Sequence, residues 1–404
     1  MVKLNSSDIS RRHALRWIGG VIAGATLTSI LNTYGCTRLT MEDAYHRRIL
    51  SGVTDGGIRV FTNWLDQEGV GGYIGEVGWP NDLQRGFGDS PLYNALAEQW
   101  WQVADRANLY VTAFSADERQ VYGGYSLNIY TSIGDGVTRT ISKPQSQAVI
   151  FEAHPTTKNY KRGINVSCGE QSSDSSSTFT NRDVGTYDAD YWYASRSTYN
   201  YLYSRGVHII RMPFRWERLQ RTLKGNLDVT ELQRIKDSVA EAGLAGLQVI
   251  LDCHNYGSYF MDVDGVRTEL KIGSASLTQG DFVDLWTKLS TEFKDDPTVL
   301  AYDLMNEPHA IPAQSANAAA RSWEACTQHV LNAIRENDDA KLIMIPGYDW
   351  SAAERWDSSH PHKWITDPEN NHLYTAHHYW GFVGGSNYEA SYAAELARCQ
   401  SSGW

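Results

Sequence analysis

Eight short apolar stretches alternate with stretches of helical periodicity along this chain, and that alternation limits the possible folds more than any single motif does. Two come early. Residues 70–78 follow a helical pattern (Ile58, Phe61, Leu65) that Gly69 ends, and residues 109–113 follow a helical pattern carried by Leu92, Leu96, Trp100 and Val103. A helix through Ala148, Val149 and Phe151 comes next. Six more strand-like stretches follow at 162–166, 207–214, 247–252, 299–305, 342–346 and 373–377. Between them run helices whose apolar positions recur at three- and four-residue spacing: Phe282, Leu285, Trp286, Leu289 and Phe293 in one, Trp323, Val330 and Ile334 in another. A third is predicted to start at Asp228, with Glu231 completing a capping box and Leu232, Ile235 and Val239 facing inward. Strands alternating with helices imply a parallel α/β fold, and 404 residues with eight such units imply a closed (β/α)8, or TIM, barrel.

Barrels of this kind keep their chemistry at the C-terminal ends of the strands. Polar residues stand there in strand after strand: Glu76, Arg211, His254-Asn255-Tyr256, Asn306-Glu307, and His377 with Tyr379. In Asp303-Leu304-Met305-Asn306-Glu307-Pro308-His309 an apolar strand runs straight into an Asn-Glu pair. A carboxylate at such a place costs solvation unless it has a task. Pro308 fixes the turn and is expected to bias Glu307 towards an extended conformation at the strand tip. The competing reading is a solvated glutamate opening a loop.

A net charge of -11 disfavours nucleic acid as a partner. The 14 Trp and 23 Tyr suit contact with the flat C–H faces of sugar rings, or core packing. Cys36, Cys168, Cys253, Cys326 and Cys399 show no CxxC spacing and no zinc-like clustering with His, so no metal site is implied and any pairing stays open. Ser10-Arg11-Arg12 precede an apolar run over 17–31 that is too short for a confident membrane span and reads as a twin-arginine export signal. Cys36 follows small residues, as at a lipoprotein cleavage site, although Thr33 and Tyr34 depart from the usual pattern. A lipid at Cys36 is the one membrane attachment the sequence suggests. The Ser-rich stretch 167–187 reads as a loop over the site or as disorder.

Asn306-Glu307-Pro308 resembles the Asn-Glu-Pro motif of glycoside hydrolase family 5, the cellulase family. Residues 70–78 look like that family's seventh strand, and Gly123-Gly124-Tyr125-Ser126-Leu127 with Lys143-Pro144-Gln145 resembles the close of its catalytic domain. Arg162-Gly163-Ile164-Asn165-Val166 matches the family's first strand. The resemblance therefore implies a circularly permuted barrel. After an export signal over 1–40, one catalytic domain spans 41–404, with units seven and eight in 41–155 and units one to six in 156–404. Two truncated barrels in fusion are the rival reading, disfavoured because every strand occurs once.

The resemblance also implies roles. Glu307 is the acid/base and Glu76 the nucleophile, converging from opposite walls of the barrel. Arg211 and Tyr379 hydrogen-bond Glu76 and keep it ionised, while proximity to that charge raises the pKa of Glu307. Asn306 meets the sugar C2 hydroxyl. His254 and His377 match subsite histidines, with Asn255 beside them, although a lone His is more often structural. Phe114 stands where the family commonly has a sugar-stacking Trp. Trp350 and Trp380 line the cleft or belong to the core. The expected activity is exported, retaining endo-hydrolysis of a β-linked polysaccharide, with an endo-β-1,4-glucanase favoured and mannan or xyloglucan open. It needs no cofactor and is expected of a monomer. A transglycosylase, or a non-catalytic carbohydrate-binding protein on the same scaffold, are the alternatives.

Overall fold

In the computed structural model the described residues are 54–79, 90–118, 127–132, 140–171 and 177–379. The export segment, Cys36, Gly123 to Ser126, Trp380 and Cys399 lie outside them.

The strands are β1 (Gly72–Gly78), β2 (Tyr110–Asp117), the short β3 (Tyr130–Thr131) and β4 (Lys143–Pro144), β5 (Arg162–Ser167), β6 (Ile209–Phe214), β7 (Gln248–Cys253), β8 (Ser258–Val263), β9 (Val266–Lys271), β10 (Val299–Asp303), β11 (Leu342–Pro346) and β12 (His372–Tyr379). Eight of them, β1, β2, β5, β6, β7, β10, β11 and β12, pair in parallel in that order, and β12 pairs back to β1. The sheet closes, so no barrel edge is left unpaired. The expected (β/α)8 barrel is the observed fold. Tyr73, Ile209, Ile250, Ala301 and Met344 pack together as a fully buried cluster.

The helices follow the apolar spacing read from the sequence. They are α1 (Arg59–Glu68), α2 (Ser90–Arg106), α3 (Ala148–Ala153), α4 (Arg196–Ser204), the one-turn α5 (Trp216–Leu219), α6 (Val229–Leu244), α7 (Gln279–Phe293), α8 (Ala316–Glu336) and the one-turn α9 (Trp356–Ser359). Helix α1 stops at Gly69, whose φ of 65° makes a left-handed cap that side chains with a Cβ adopt at a cost. Asp228 caps α6 by accepting from the backbone N–H of Thr230 and Glu231. The expected capping box is not made there. Glu231 is buried and accepts from the hydroxyls of Tyr191 (2.6 Å) and Tyr193 (2.9 Å) and from Arg234 Nη1 (3.0 Å) instead, so both its oxygens are engaged away from the helix start. Ile235 and Val239 are buried as expected, and Leu232 is half-buried. The reciprocal capping box occurs at α7, between Thr278 and Asp281.

Two features had no counterpart in the sequence reading. The antiparallel hairpin β8–β9 turns at Asp264-Gly265, both with positive φ (53° and 82°), the conformation that two-residue hairpin loops favour. Part of the Ser-rich stretch packs on this hairpin: Phe179 and Val184 bury against Phe260, and Asn181 exchanges hydrogen bonds with Phe260 O and Asp262 N. At the other end of the barrel, the link from α3 to β5 is fastened by His154, which bridges Asp105 (2.7 Å) and Glu98 (3.2 Å) of α2, while Arg162 of β5 also pairs with Asp105 (2.5 Å). Cys168, Cys253 and Cys326 are buried free thiols.

Candidate active site

Glu76 projects from β1 with 4% of its surface exposed. Burying a carboxylate so deeply demands partners, and two other strands supply them. Arg211 of β6 donates from Nη1 to Oε1 at 2.8 Å, Tyr379 of β12 donates its hydroxyl to Oε2, and His377 of β12 places Nδ1 3.7 Å from Oε2. The same His377 nitrogen lies 2.9 Å from Glu307 Oε1. One oxygen from each glutamate and one His377 nitrogen all lie within 4.8 Å of one another. Gly75 makes room for this, since a Cβ there would stand 2.7 Å from His377 Nε2.

Strands β1 and β10 are three places apart around the ring, with β12 and β11 between them, so the expectation of opposite walls is corrected. Glu307 stands four residues beyond the end of β10 and meets Glu76 around His377 of β12. Its backbone differs from expectation as well: φ is +43°, in the left-handed region rather than extended. Proline disfavours the right-handed helical region for its predecessor but leaves this alternative open. The neighbouring chain pins it: Asn306 N bonds Cys253 O (2.8 Å), Asn306 O accepts from Tyr256 N (3.0 Å), and Pro308 O accepts from Trp350 N (3.2 Å). A non-glycine residue held there stores strain of about 1–3 kcal/mol, a pattern concentrated at functional sites.

The electrostatics separate the two glutamates. Burial pushes Glu76 upward, but His377, Arg211, His254 and the Tyr379 hydrogen bond together outweigh it and hold its carboxyl well below the usual range. Glu307 is raised, first by burial and then by the charge of Glu76, against the lowering hydrogen bond from His377. Burial thus outweighs the proximity to Glu76 that the sequence leads one to expect as the cause. Beneath them Arg211, itself buried, also meets Asp303 through Nε (2.8 Å) and Asp252 through Nη2 (2.9 Å). A guanidinium among three carboxylates stays charged: burial opposes its protonated form, yet its pKa lies well above the ordinary value.

The remaining candidates divide. Asn306 accepts from Arg211 Nη2 at 2.9 Å, while its Nδ2 has no hydrogen-bond partner among the described residues. His254 is held by Asp252 at Nδ1 (2.7 Å) and Tyr256 at Nε2 (3.1 Å). Asn255 is fully buried and both ends of its amide are engaged, by Trp216 N, Glu217 and Ser258 O, so it braces a loop rather than meeting a sugar. Phe114 is half-buried, edge-on to Tyr379 at 6.1 Å. Trp350 is 43% exposed, with His309 stacked on one face at 3.6 Å and Tyr256 tilted beside it at 6.1 Å. The structure adds His309, stacked on Trp350, Asp252 on His254 and Asp303 on Arg211 to the residues expected from the sequence, and Tyr256, which follows His254 at its strand tip, packs edge-on to it.

The arrangement has two carboxyl groups of unequal proton affinity, a fixed cation and an aromatic wall, which suits acid-assisted displacement at a neutral, hydroxyl-rich centre. Glu76, Glu307 and His377 are also a possible ligand set for a cation.

The chain is similar to several known proteins. A manganese dependent endoglucanase from Phanerodontia chrysosporium is 29% identical over 160 residues, covering 39% of this chain and 38% of that protein. A probable endo-beta-1,4-glucanase B from Aspergillus niger is 26% identical over 251 residues, 61% of this chain and 69% of that protein. Among solved structures, an endo-beta-1,4-glucanase from Xanthomonas axonopodis pv. citri is 34% identical, with 54% of this chain and 64% of that one covered and a TM-score of 0.45. The Pseudomonas stutzeri endoglucanase Cel5A in complex with cellobiose is 32% identical, with 53% and 58% covered and a TM-score of 0.45. The chain thus spans well under half of the first of these relatives and less than two thirds of either structure. The model of the family described as Cellulase (glycosyl hydrolase family 5) matches residues 168–402. With more than half of its length accounted for in that way, this chain belongs to glycosyl hydrolase family 5.

Proposed function

We propose that the protein is a retaining endo-β-glycosidase that hydrolyses a β-linked glucan, with Glu76 as nucleophile and Glu307 as acid/base. The observation that carries this reading is the pair itself: two carboxyl groups within 4.8 Å, one held ionised and the other biased towards its protonated form. Retaining glycosidases place their carboxyl groups about 5 Å apart, whereas inverting ones need about 6.5–9.5 Å to seat a water. In the first step Glu76 Oε attacks the anomeric carbon as the glycosidic C–O bond breaks, and Glu307 gives its proton to the departing oxygen. In the second, Glu307 takes a proton from water, whose oxygen displaces Glu76 and restores the β configuration. The unpartnered Nδ2 of Asn306 is suited to the C2 hydroxyl, and Trp350 and Phe114 to sugar faces.

The relatives' names favour a β-1,4-glucan as substrate. Residues 1–31 support export by the twin-arginine route, with Cys36 as a point of lipid attachment. The order of the units supports circular permutation: β1 and β2 precede the region that the family model matches, and β1 carries the residue assigned as nucleophile. Release of reducing ends across a panel of cellulose, mixed-linkage glucan, xyloglucan and mannan, with product lengths recorded, tests the reading. Internal cleavage of a β-glucan is expected; no release from any of the four would remove it.

A further inference from the structure

The aim of Glu76 depends on a break in the sheet. The pairing of β1 with β12 slips between Ile74 and Glu76, and on its other side β1 pairs with β2 only through Tyr73 and Ile74. Gly75 therefore sits in a bulge, a device that bends a strand and re-aims the side chain beside it. A bulge leaves backbone groups without ladder partners, and a buried carbonyl needs a replacement.

Side chains from the two following strands supply it. Thr112 of β2 donates its hydroxyl to Gly75 O at 2.6 Å, and Asn165 of β5 donates Nδ2 to the same oxygen at 2.8 Å. Thr112 has one hydroxyl hydrogen, so its 2.5 Å contact with Tyr73 must be donated by the Tyr73 hydroxyl. Asn165 Nδ2 also lies 3.2 Å from Thr112 O and 3.3 Å from Ala113 O, next to a second slip, between β2 and β5. The far end of the same amide turns to the charge cluster. Asn165 Oδ1 accepts from Arg211 Nη1 at 3.0 Å, the nitrogen that donates to Glu76 at 2.8 Å. That nitrogen carries two hydrogens, and these two acceptors use both.

We propose that Asn165 and Thr112 are positioning residues for the attacking carboxylate. Together they hold the Gly75 bulge that aims Glu76, and Asn165 ties that backbone to the orientation of Arg211. This inference rests on the assignment of Glu76 as nucleophile. Both residues are buried, with Thr112 fully enclosed and Asn165 4% exposed, so their effect reaches the substrate through Glu76.

The test uses the full chain, dinitrophenyl β-cellobioside, and the variants Thr112→Val, Thr112→Ser, Asn165→Ala and Glu76→Ala. Thr112→Val keeps the volume and removes the donor; Thr112→Ser keeps the donor and removes a methyl. Positioning predicts that Thr112→Val lowers kcat about 10- to 100-fold with KM nearly unchanged, as a misplacement of the order of 1 Å does, while Thr112→Ser stays near wild type. Packing alone predicts the reverse order. Asn165→Ala should lower kcat similarly and move the acid limb of the pH profile upward, because Arg211 is less fixed on Glu76. Thermal midpoints identify any variant that fails to fold, and the serine variant keeps the comparison decisive if the valine one does. Wild-type kcat and acid limb in folded Thr112→Val and Asn165→Ala, with azide restoring turnover to Glu76→Ala as an α-glycosyl azide, would overturn the positioning role alone. Failure of azide to restore turnover would overturn the assignment of Glu76, and the positioning role with it.

Discussion

Glu307 and Glu76 bring carboxylate oxygens within 4.8 Å of each other from strands that are not neighbours, and His377, on one of the two strands between, lies beside both. The two glutamates differ in proton affinity. Glu76 is stabilised as an anion by Arg211 and Tyr379, while burial and the charge of Glu76 raise the pKa of Glu307, so of the pair Glu307 holds its proton the more tightly.

The first prediction concerns that proton. Glu307→Gln removes the proposed acid and keeps the shape, so hydrolysis of polysaccharide should fall by about 10²–10⁴-fold, the usual worth of general acid catalysis. Glycosides with good leaving groups should lose far less in the first step, since a phenolate departs without help. Steady-state rates on the two substrate types, measured side by side, check this; equal losses on both would contradict it.

The pH dependence follows from the directions of the two shifts. As the proposed nucleophile Glu76 must be ionised, and its pKa is depressed, so activity should persist below the ordinary glutamate value of 4.5 and fail only at lower pH. As the proposed acid Glu307 must be protonated, and its pKa is raised, so the alkaline limb should lie above 4.5. Tyr379→Phe deletes a hydrogen bond to ionised Glu76 and should move the acid limb of kcat/KM upward while leaving the alkaline limb nearly in place. An acid limb unmoved in that variant would show that the phenol does not stabilise the carboxylate.

Stability has its own pH signature at Arg335 and Asp367. Arg335 of α8 grips Asp367 through Nε (2.8 Å) and Nη2 (2.9 Å), and the side chains are 5% and 0% exposed. Against burial, this pair and the backbone N–H of Asn371 hold Asp367 down to about 2. A depressed carboxyl stabilises the fold fully above its unfolded pKa of about 3.9 and loses that contribution as pH falls towards 2. Asp367→Asn should destabilise by about 3 kcal/mol at neutral pH, because it leaves a buried guanidinium without its counter-charge. Denaturant unfolding at pH 7 and pH 3 should show the difference between variant and wild type shrinking at the lower pH.

Much of this was legible in the sequence, and the exceptions have physical reasons. The eight strands and the two glutamates were visible because a buried parallel strand reads as a continuous apolar run, and a charge at its end stands out. The sign of φ at Glu307 was not, since the proline rule favours extended backbone and the tertiary hydrogen bonds of Asn306 and Pro308 that hold the left-handed turn leave no mark in the sequence. Asn255 looked like a cleft residue because a buried amide and a ligand-facing amide are identical in sequence; only its three protein partners distinguish them. The hairpin β8–β9 escaped because no residue of β9 is buried and the strand has no apolar run, although Val266, Thr268 and Leu270 alternate with charged residues and Asp264-Gly265 is a recognisable turn signal. Asn165 and Thr112 carry no sequence signal of their role, because the bulge they satisfy is a property of strand register.

Permutation makes a separate prediction. The His154–Asp105–Arg162 cluster and the β2–β5 pairing join the two segments, so residues 41–155 and 156–404 expressed apart should be insoluble or inactive, each with unpaired strand edges. A chain reordered as 156–404 followed by 41–155 should fold and cleave the same substrate, because its contacts are unchanged and only one loop is moved. Activity in 156–404 alone would contradict both the permutation and the role of Glu76.

The covalent step offers the most direct measurement. A fluoroglycoside of cellobiose, with fluorine at C2 and a dinitrophenyl leaving group, slows both displacements but lets the good leaving group depart, so a nucleophilic carboxylate accumulates as its glycosyl ester. Incubation followed by proteolysis and mass spectrometry of the peptides locates the label. The account predicts one added fluorocellobiosyl group per chain, on the peptide containing Glu76, with activity lost in proportion. Stoichiometric labelling at Glu307 or another residue, or turnover with inversion and no trapped ester, would contradict it.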